Sequence, residues 1–465
     1  MRIIDASNAR AIARLAARDL ARDPAVQRQA ARIVRDVRRR GDRAVAEWTR
    51  RLDAASRTAG APAPAHPAPL SAADLEAGWA ATDRDVRTAI RVAIANVRAV
   101  ATRQVPKPFS VEVRPGVRVE QRVAPLGRVG CYVPGGRYPL PSTLVMTAVP
   151  ALVAGVREVV VVCPRPAPAV LAAALEAGVT DVWPIGGAQA IAALAYGTAR
   201  LRQVDKIVGP GNAWVAAAKA LVSADCAIDF HAGPSEIVIV ADEGPAEWIA
   251  ADLIAQAEHD PAARAVFVTT RRSLARAVAG AVRRQMPATG PARAAIRRNG
   301  AIVVARTRRE AAAVVNRLAP EHVVCERRAD VGRVTAAGTI FVGRWSAQAA
   351  GDYCTGSNHV LPTGGAARFR GGLSAADFVR VFSVQTLTAR GIRAVGPPAV
   401  ALAEAEGLTA HAESIRKRLA AQGTAHNAHC TTHGARRTKH GARRTKHGAP
   451  ARSTEHGARS TNDDV

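Results

Sequence analysis

Aromatic residues make up only 4% of this 465-residue chain, and lysine occurs just six times. The core must therefore be built mainly from Ala, Val, Leu and Ile, and the net charge of +27 comes almost wholly from arginine. The six cysteines, at 131, 163, 226, 325, 354 and 430, include no CxxC pair and no disulfide-like spacing. That excludes a disulfide scaffold and a thiolate zinc knuckle, and it reads as free thiols in a reducing compartment. Long apolar runs are also missing. "AVPALVAGVREVVVVC" is broken by Arg157 and Glu158, so no segment is predicted to span a membrane. The N-terminus, "MRIIDASNARAIARLAARDL", lacks the apolar stretch of a signal peptide, and Asp5, Asp19 and Asp23 argue against a transit peptide. A cytoplasmic location is expected.

A strong basic balance can signal nucleic-acid binding. Here the arginines are interleaved with acids along alanine-rich helices, as in "ARIVRDVRRRGDRAVAEWTRR". That is the pattern of solvated helix faces, and no nucleic-acid partner is expected. With 48% apolar and 22% charged residues the composition is that of a globular protein, long enough for several domains.

Helical periodicity covers 8–57 and 71–103, separated by the Pro/Ala-rich "TAGAPAPAHPAP". From about 110, "SVEVRPGVRVEQRVAPLGRVGCYVP" alternates like strands around Pro115-Gly116. Short β-branched runs then alternate with alanine-rich helices in two series. The first holds "REVVVVC", "DVWPIG" and "DKIVG", and the second runs from "SEIVIVAD" to "GTIFVG". Strand–helix–strand alternation implies parallel sheets covered on both faces, so the predicted fold class is α/β with two doubly wound, Rossmann-like domains. The last forty or so residues, around "HGARRTKHGARRTKHGAP", form an imperfect repeat with nothing apolar to bury and are expected to be disordered.

Doubly wound sheets bind ligands at the carboxyl ends of their strands. The full GxGxxG fingerprint is absent, because Trp214 takes the third glycine's place in "GPGNAW", 209–214. That turn and "PIGGAQA", 184–190, can still offer backbone N–H groups to a phosphate. Tyr132, Gln189 and Asn212 lie in or near such turns and can add a flat face and hydrogen bonds for a cofactor. "LAPEHVV" sets Glu321 beside His322 at an element boundary, an acid and an imidazole suited to proton transfer near neutrality. In "DLIAQAEHD", Gln256 and His259 are three apart in an apparent helix and share one face. Asp352 and His359 stand in the Gly-punctuated "GDYCTGSNHVLPT", and Glu406 and His411 in "EAEGLTAH". Nitrogen and oxygen donors of this mix suit zinc, but they are too scattered for spacing to establish a site.

Taken in order, "RVGCYVPGG", "GGAQAIAALAYGT", "VDKIVGPGNAWV", "AGPSEIVIVAD", "QAEHD", "LAPEHV", "GDYCTGSNHVLPT" and "AEGLTAH" resemble the histidinol dehydrogenase family over roughly residues 1–421. The resemblance implies an enzyme of the last step of histidine biosynthesis. It would oxidise L-histidinol via L-histidinal to L-histidine with two NAD and one Zn²⁺ per subunit. Carried over by position, Gln256, His259, Asp352 and His411 would hold the metal and help bind substrate. Glu321 and His322 would be the acid–base pair. Ser235, His322, His359 and Glu406 would contact substrate, and Tyr132, Gln189 and Asn212 would contact NAD. The family forms homodimers with shared sites, so Glu406 and His411 would act in the partner's site.

The implied layout is a helical region at 1–109 with an insertion at 58–69, then an NAD-side domain at 110–234. A domain carrying the zinc and acid–base residues follows at 235–375, then a dimerisation segment at 376–423 and a basic tail at 424–465. Two features stand apart. His231 lies close to Ser235, where an apolar residue is expected, and Cys131 adjoins Tyr132, which opens a thiohemiacetal route as a rival for the second oxidation. A paralogous NAD-dependent dehydrogenase of another small polar alcohol, such as a sulfonated diol, is the alternative function.

Overall fold

The computed structural model describes residues 1–17, 23–55, 68–135, 139–230 and 233–434, with the backbone alone for 53–55 and 422–434. His231, the greater part of the Pro/Ala-rich stretch, and the tail beyond 434 lie outside these residues. Fourteen strands are present among the described residues. They are β1 (Arg2–Asp5), β2 (Phe109–Arg114), β3 (Val117–Pro125), β4 (Arg128–Tyr132) and β5 (Glu158–Val162). Next come β6 (Asp181–Trp183), β7 (Lys206–Val208), β8 (Ala227–Ile228), β9 (Glu236–Val240) and β10 (Arg264–Thr269). The last are β11 (Ala301–Val304), β12 (His322–Cys325), β13 (Thr339–Val342) and β14 (Val379–Leu387).

Two parallel sheets carry the fold. The first has the order β6-β5-β4-β7-β8 and the second β1-β11-β10-β9-β12-β13. Their strands are runs of apolar, largely β-branched residues because both faces are covered. In β5, Val159 and Val161 point into one apolar cluster, with helices Arg84–Gln104, Pro141–Val153 and Pro168–Ala177. Val160 and Val162 point into the other, with helices Pro24–Arg40, Gly187–Tyr196 and Ala213–Val222. The second sheet is sandwiched in the same way, with Ile239 and Phe267 on one face and Val240 and Val268 on the other. The α/β, doubly wound class expected from the sequence is the observed one.

Residues 1–109 do not form a layer of their own. Strand β1 is an edge of the second sheet, where the helix Ala9–Ala16 buries Ile12 and Leu15. The helices from Pro24 to Gln104 cover the first sheet, because each exposes an apolar stripe that only a sheet or another helix can bury. The start of the first sheet also differs from the sequence expectation at 110. Strand β3 pairs antiparallel with β2 and lies between it and β14 in a separate three-stranded sheet. Every residue of β2 is exposed. Its alternation of apolar and polar residues belongs to a sheet open to water, and not to the uniformly apolar doubly wound strands.

The chain divides into two compact units, one of residues 1–108 and 122–382, the other of 109–121 and 383–465. Both parallel sheets belong to the first. The second contains the β2–β3 turn, whose Gly116 (φ 82°) accepts a hydrogen bond from Thr388, and the mutually packed helices Ala389–Ala405 and Thr409–Gly434. The backbone of that last helix runs to Gly434, past the start of the basic repeat tail at 424, and the rest of that tail lies outside the described residues. Each residue added to an existing helix gains a hydrogen bond, and no proline interrupts the run. No helix among the described residues is long and apolar enough to cross a membrane.

In each parallel sheet the strand order reverses once, between β4 and β7 in the first and between β9 and β12 in the second. The carboxyl end of such a reversal is where an open α/β sheet offers a ligand crevice. At the second sheet's reversal, side chains of opposite charge occupy the position. The Arg308 guanidinium pairs there with Asp242 (2.9 Å), Glu326 (3.5 Å) and Asp330.

Candidate functional site

At the first sheet's reversal a cleft of about 1710 Å³ is lined by Tyr132, Gly187, Gln189, Asn212, Trp214 and His259, among others. Tyr132 ends β4, and its hydroxyl accepts a hydrogen bond from the Gly187 N–H at 3.1 Å. Burial pushes its pKa up to about 12, so the phenol stays neutral. Gly187 opens its helix at φ 69°, which a side chain would oppose. Asn212 caps the helix Ala213–Val222 by accepting from the N–H groups of Trp214 and Val215. Gln189 is buried, its amide nitrogen 3.4 Å from Thr49 Oγ1, while its Oε1 has no hydrogen-bond partner. A buried acceptor without a donor fits a ligand that brings one. Tyr132, Gln189 and Asn212 therefore line one cleft, as the sequence suggested. Helices Pro24–Arg40 and Asp42–Ala55 supply a wall through Val26, Gln29 and Thr49, and no local motif in the sequence marks that contribution.

The acid–base candidates hang from the opposite, amino edge of the second sheet. The helix Arg308–Leu318 ends at Ala319, held at φ 47°, and Pro320 then turns the chain into β12, whose first residue is His322. His322 Nδ1 donates to the Glu236 carbonyl (3.1 Å) and lies 3.5 Å from Glu321 Oε2. That carboxylate oxygen also accepts from the Glu236 N–H at 2.9 Å. Because the carbonyl can only accept, Nδ1 carries the proton and Nε2 keeps its lone pair. Burial drives the His322 pKa down, but the carboxylates of Glu321 and Asp352 and the Glu236 carbonyl outweigh it, and the net shift is upward. Asp352 Oδ1 stands 3.8 Å from His322 Nε2. His359 Nδ1 donates to the Asp352 carbonyl at 2.8 Å, and its Nε2 is 3.4 Å from Thr143 Oγ1. Burial lowers the His359 pKa, with Asp352 opposing.

The structure thus brings Glu321 and His322, both buried, together with the half-buried Asp352 and His359 in one group. Ser235 stands half-buried immediately before β9. Two members of this group escaped the sequence reading. Thr143 sits in the otherwise apolar "PSTLVMTAVPALV", where a lone hydroxyl gives no spacing signal. Glu236 reads as the first residue of a buried strand, yet an acid in "SEIVIV" was a visible anomaly. Burial pushes its carboxyl up to about 7, Arg264 opposing and Glu321 adding to the rise, and its Oε2 has no hydrogen-bond partner.

Gln256 and His259 do not share a helix as expected. The helix Ala246–Ala257 stops one residue past Gln256, and His259 is exposed in the turn that follows. Asp260-Pro261 accounts for the stop, since the residue before a proline is driven out of helical geometry. Gln256 is only 1% exposed, and its Oε1 lacks any hydrogen-bond partner. An amide oxygen in that condition fits a cation, which needs a lone pair and no donor. No three His, Cys, Asp or Glu residues among those described stand close enough to hold a metal by themselves. Glu406 and His411 belong to the second unit, where both are exposed. Cys131 is fully buried on the sheet face opposite Tyr132, and burial pushes its thiol up to about 12. A thiol so reluctant to ionise is a poor nucleophile, which argues against the rival thiohemiacetal route.

The family model described as histidinol dehydrogenase matches residues 16–419. A histidinol dehydrogenase of Caulobacter vibrioides is 48% identical over 398 residues, spanning 83% of this chain and 91% of that protein. One from Cereibacter sphaeroides is 45% identical over 85% of this chain and 92% of its own. Among solved structures, the histidinol dehydrogenase of Elizabethkingia anophelis superimposes with a TM-score of 0.84 at 29% identity, covering 91% of this chain and 99% of that one.

Proposed function

Since this chain belongs to the histidinol dehydrogenase family, and so is an oxidoreductase, we propose that it oxidises L-histidinol via L-histidinal to L-histidine, consuming two NAD. The observation that carries the reading is the group in which Glu321, His322 and Asp352 converge, with His359 fixed beside them. In the first step His322 Nε2 takes the alcohol proton, its other nitrogen being committed to the Glu236 carbonyl. NAD, when bound in the cleft beside Tyr132, Gln189 and Asn212, supplies the hydride acceptor. Glu321, one oxygen anchored by the Glu236 N–H, then draws a proton from the water that hydrates the aldehyde. His322 serves again as the hydrate is oxidised.

One Zn²⁺ per subunit would be held by Gln256, His259 and Asp352 with His411 of the partner subunit, and would supply fixed placement of the substrate. The orphaned Gln256 oxygen supports that set. Ser235, His359 and the partner subunit's Glu406 would complete the substrate contacts. The homodimer this requires is supported by the apolar side chains that the second unit exposes on β2 and the helix Ala389–Ala405, Phe109 (54%) and Leu402 (66%) among them. The protein is assigned to the cytoplasm, without a nucleic-acid or membrane partner.

The test is the yield of NADH per L-histidinol consumed, before and after chelation and with zinc restored. Two NADH per substrate, lost on chelation and regained with zinc, is the expected result. No NADH from a zinc-loaded dimer would overturn the substrate assignment and point to another small polar alcohol, such as a sulfonated diol.

A further inference from the structure

Beneath the cofactor cleft lies an ion pair that the chemistry above does not use. Lys219, on the helix Ala213–Val222, and Asp229, just past β8, are 3% and 4% exposed and form a salt bridge. Lys219 Nζ also donates to the Gly209 carbonyl at 2.9 Å. Asp229 Oδ2 accepts from the Gly209 N–H at 2.8 Å, and its Oδ1 accepts from the Phe230 N–H at 2.6 Å. Both backbone polar groups of Gly209 therefore end on this one pair.

Gly209 is a demanding position. It follows β7 at φ 111°, and a Cβ there would fall 2.2 Å from the Tyr132 carbonyl oxygen. Three residues on, Asn212 caps its helix at the cleft. A shift of Gly209 thus moves two of the cofactor-contact candidates, Tyr132 by direct abutment and Asn212 through the short Pro210-Gly211 link. A buried ion pair is weak evidence for stability, because desolvating two charges offsets most of their attraction. What such a pair supplies is a single permitted geometry.

We propose that Lys219 and Asp229 are positioning residues for the dinucleotide cofactor, locking the Gly209–Asn212 turn in the shape that binds it. The proposal rests on reading the cleft as the NAD site. Calorimetric titration of the full-length protein with NAD tests it, together with KM values for NAD and L-histidinol. The Lys219→Met/Asp229→Asn double variant removes both charges at once and leaves no lone buried ion. Its NAD Kd should weaken by about tenfold or more, while the L-histidinol KM stays within about twofold. A merely structural pair would lower the melting temperature without that split. A folded double variant whose NAD Kd lies within about twofold of the parent overturns the proposal.

Should the double variant fail to fold, Lys219→Arg decides the matter. It keeps the charge but cannot reproduce the Lys219 geometry in so confined a space, and its NAD affinity should fall by about threefold or more. Unchanged affinity there is equally fatal. Asn212→Ala and Tyr132→Ala separate the two levels of the argument. If both leave NAD binding intact, the cleft reading itself fails. If both weaken it and the pair variants do not, only the role of Lys219 and Asp229 is lost.

Discussion

At the scale of single residues, proton handling is divided between groups whose environments differ in kind. His322 has one nitrogen committed to a backbone carbonyl and one open, so His322→Asn should lower turnover by about a hundredfold or more while bound zinc is unchanged. Near-parental turnover with full metal content would remove His322 from the mechanism. Glu236 gives a pH signature. Its folded pKa, raised to about 7, exceeds the ordinary carboxylate value, so between pH 4.5 and 7 the folded state holds a proton that the unfolded state has lost. Stability should therefore fall as pH rises across that window and level off above it. Glu236→Gln should flatten the decline, raising the melting temperature at pH 8 relative to parent with little change at pH 4.5. An equal shift at both pH values would contradict the assignment. Glu321, His322, Tyr132 and Asn212 stand out in the sequence because polar groups at element boundaries are conspicuous. The sequence could not show that the Gln256 oxygen lacks a donor, since that condition is created by what packs around it.

At the scale of elements, the buried strands were the most legible part of the chain. "EVVVV" and "EIVIV" leave no polar side chain for water in their interior, so a two-faced burial follows from composition alone. Strands β2 and β3 were legible as strands but not as a sheet of their own, because alternation identifies a half-exposed strand without naming its neighbour. The helix ends at Ala257, before Asp260-Pro261, so the expected sharing of one helical face by Gln256 and His259 does not hold. A turn is vulnerable to substitution where its backbone takes a positive φ against a close neighbour. Gly209→Ala should cost roughly 2 kcal/mol, from a positive φ and a Cβ driven against the Tyr132 carbonyl. Thermal melting should show the loss as a fall of a few degrees, with the NAD KM raised in parallel. A variant melting with the parent would mean that the turn relaxes freely.

At the scale of the whole molecule, the sequence series predicted two doubly wound sheets and the structure holds two. The allocation of the N-terminal 109 residues between them was not readable, since an amphipathic helix shows that it needs a partner and not which one. Shared sites between subunits are a prediction at this scale. A His411→Asn dimer and a Glu321→Gln dimer should each be nearly inactive, and exchanging their subunits should restore part of the activity, since one hybrid site inherits both intact residues. Confirmed exchange without recovery would place each site within one chain.

The ion pairs of Arg308 with Asp242, Glu326 and Asp330 have a kinetic corollary. They occupy the place where the second sheet would otherwise receive a dinucleotide, so under the proposed two-step reaction both oxidations would use a single dock. On that reading the enzyme would work as a turnstile: the first reduced cofactor would leave before the second oxidised one enters, and the half-oxidised substrate would wait in place meanwhile. Calorimetric titration should consequently find one NAD or NADH bound per subunit, each displacing the other. A second bound dinucleotide per subunit would reveal another dock.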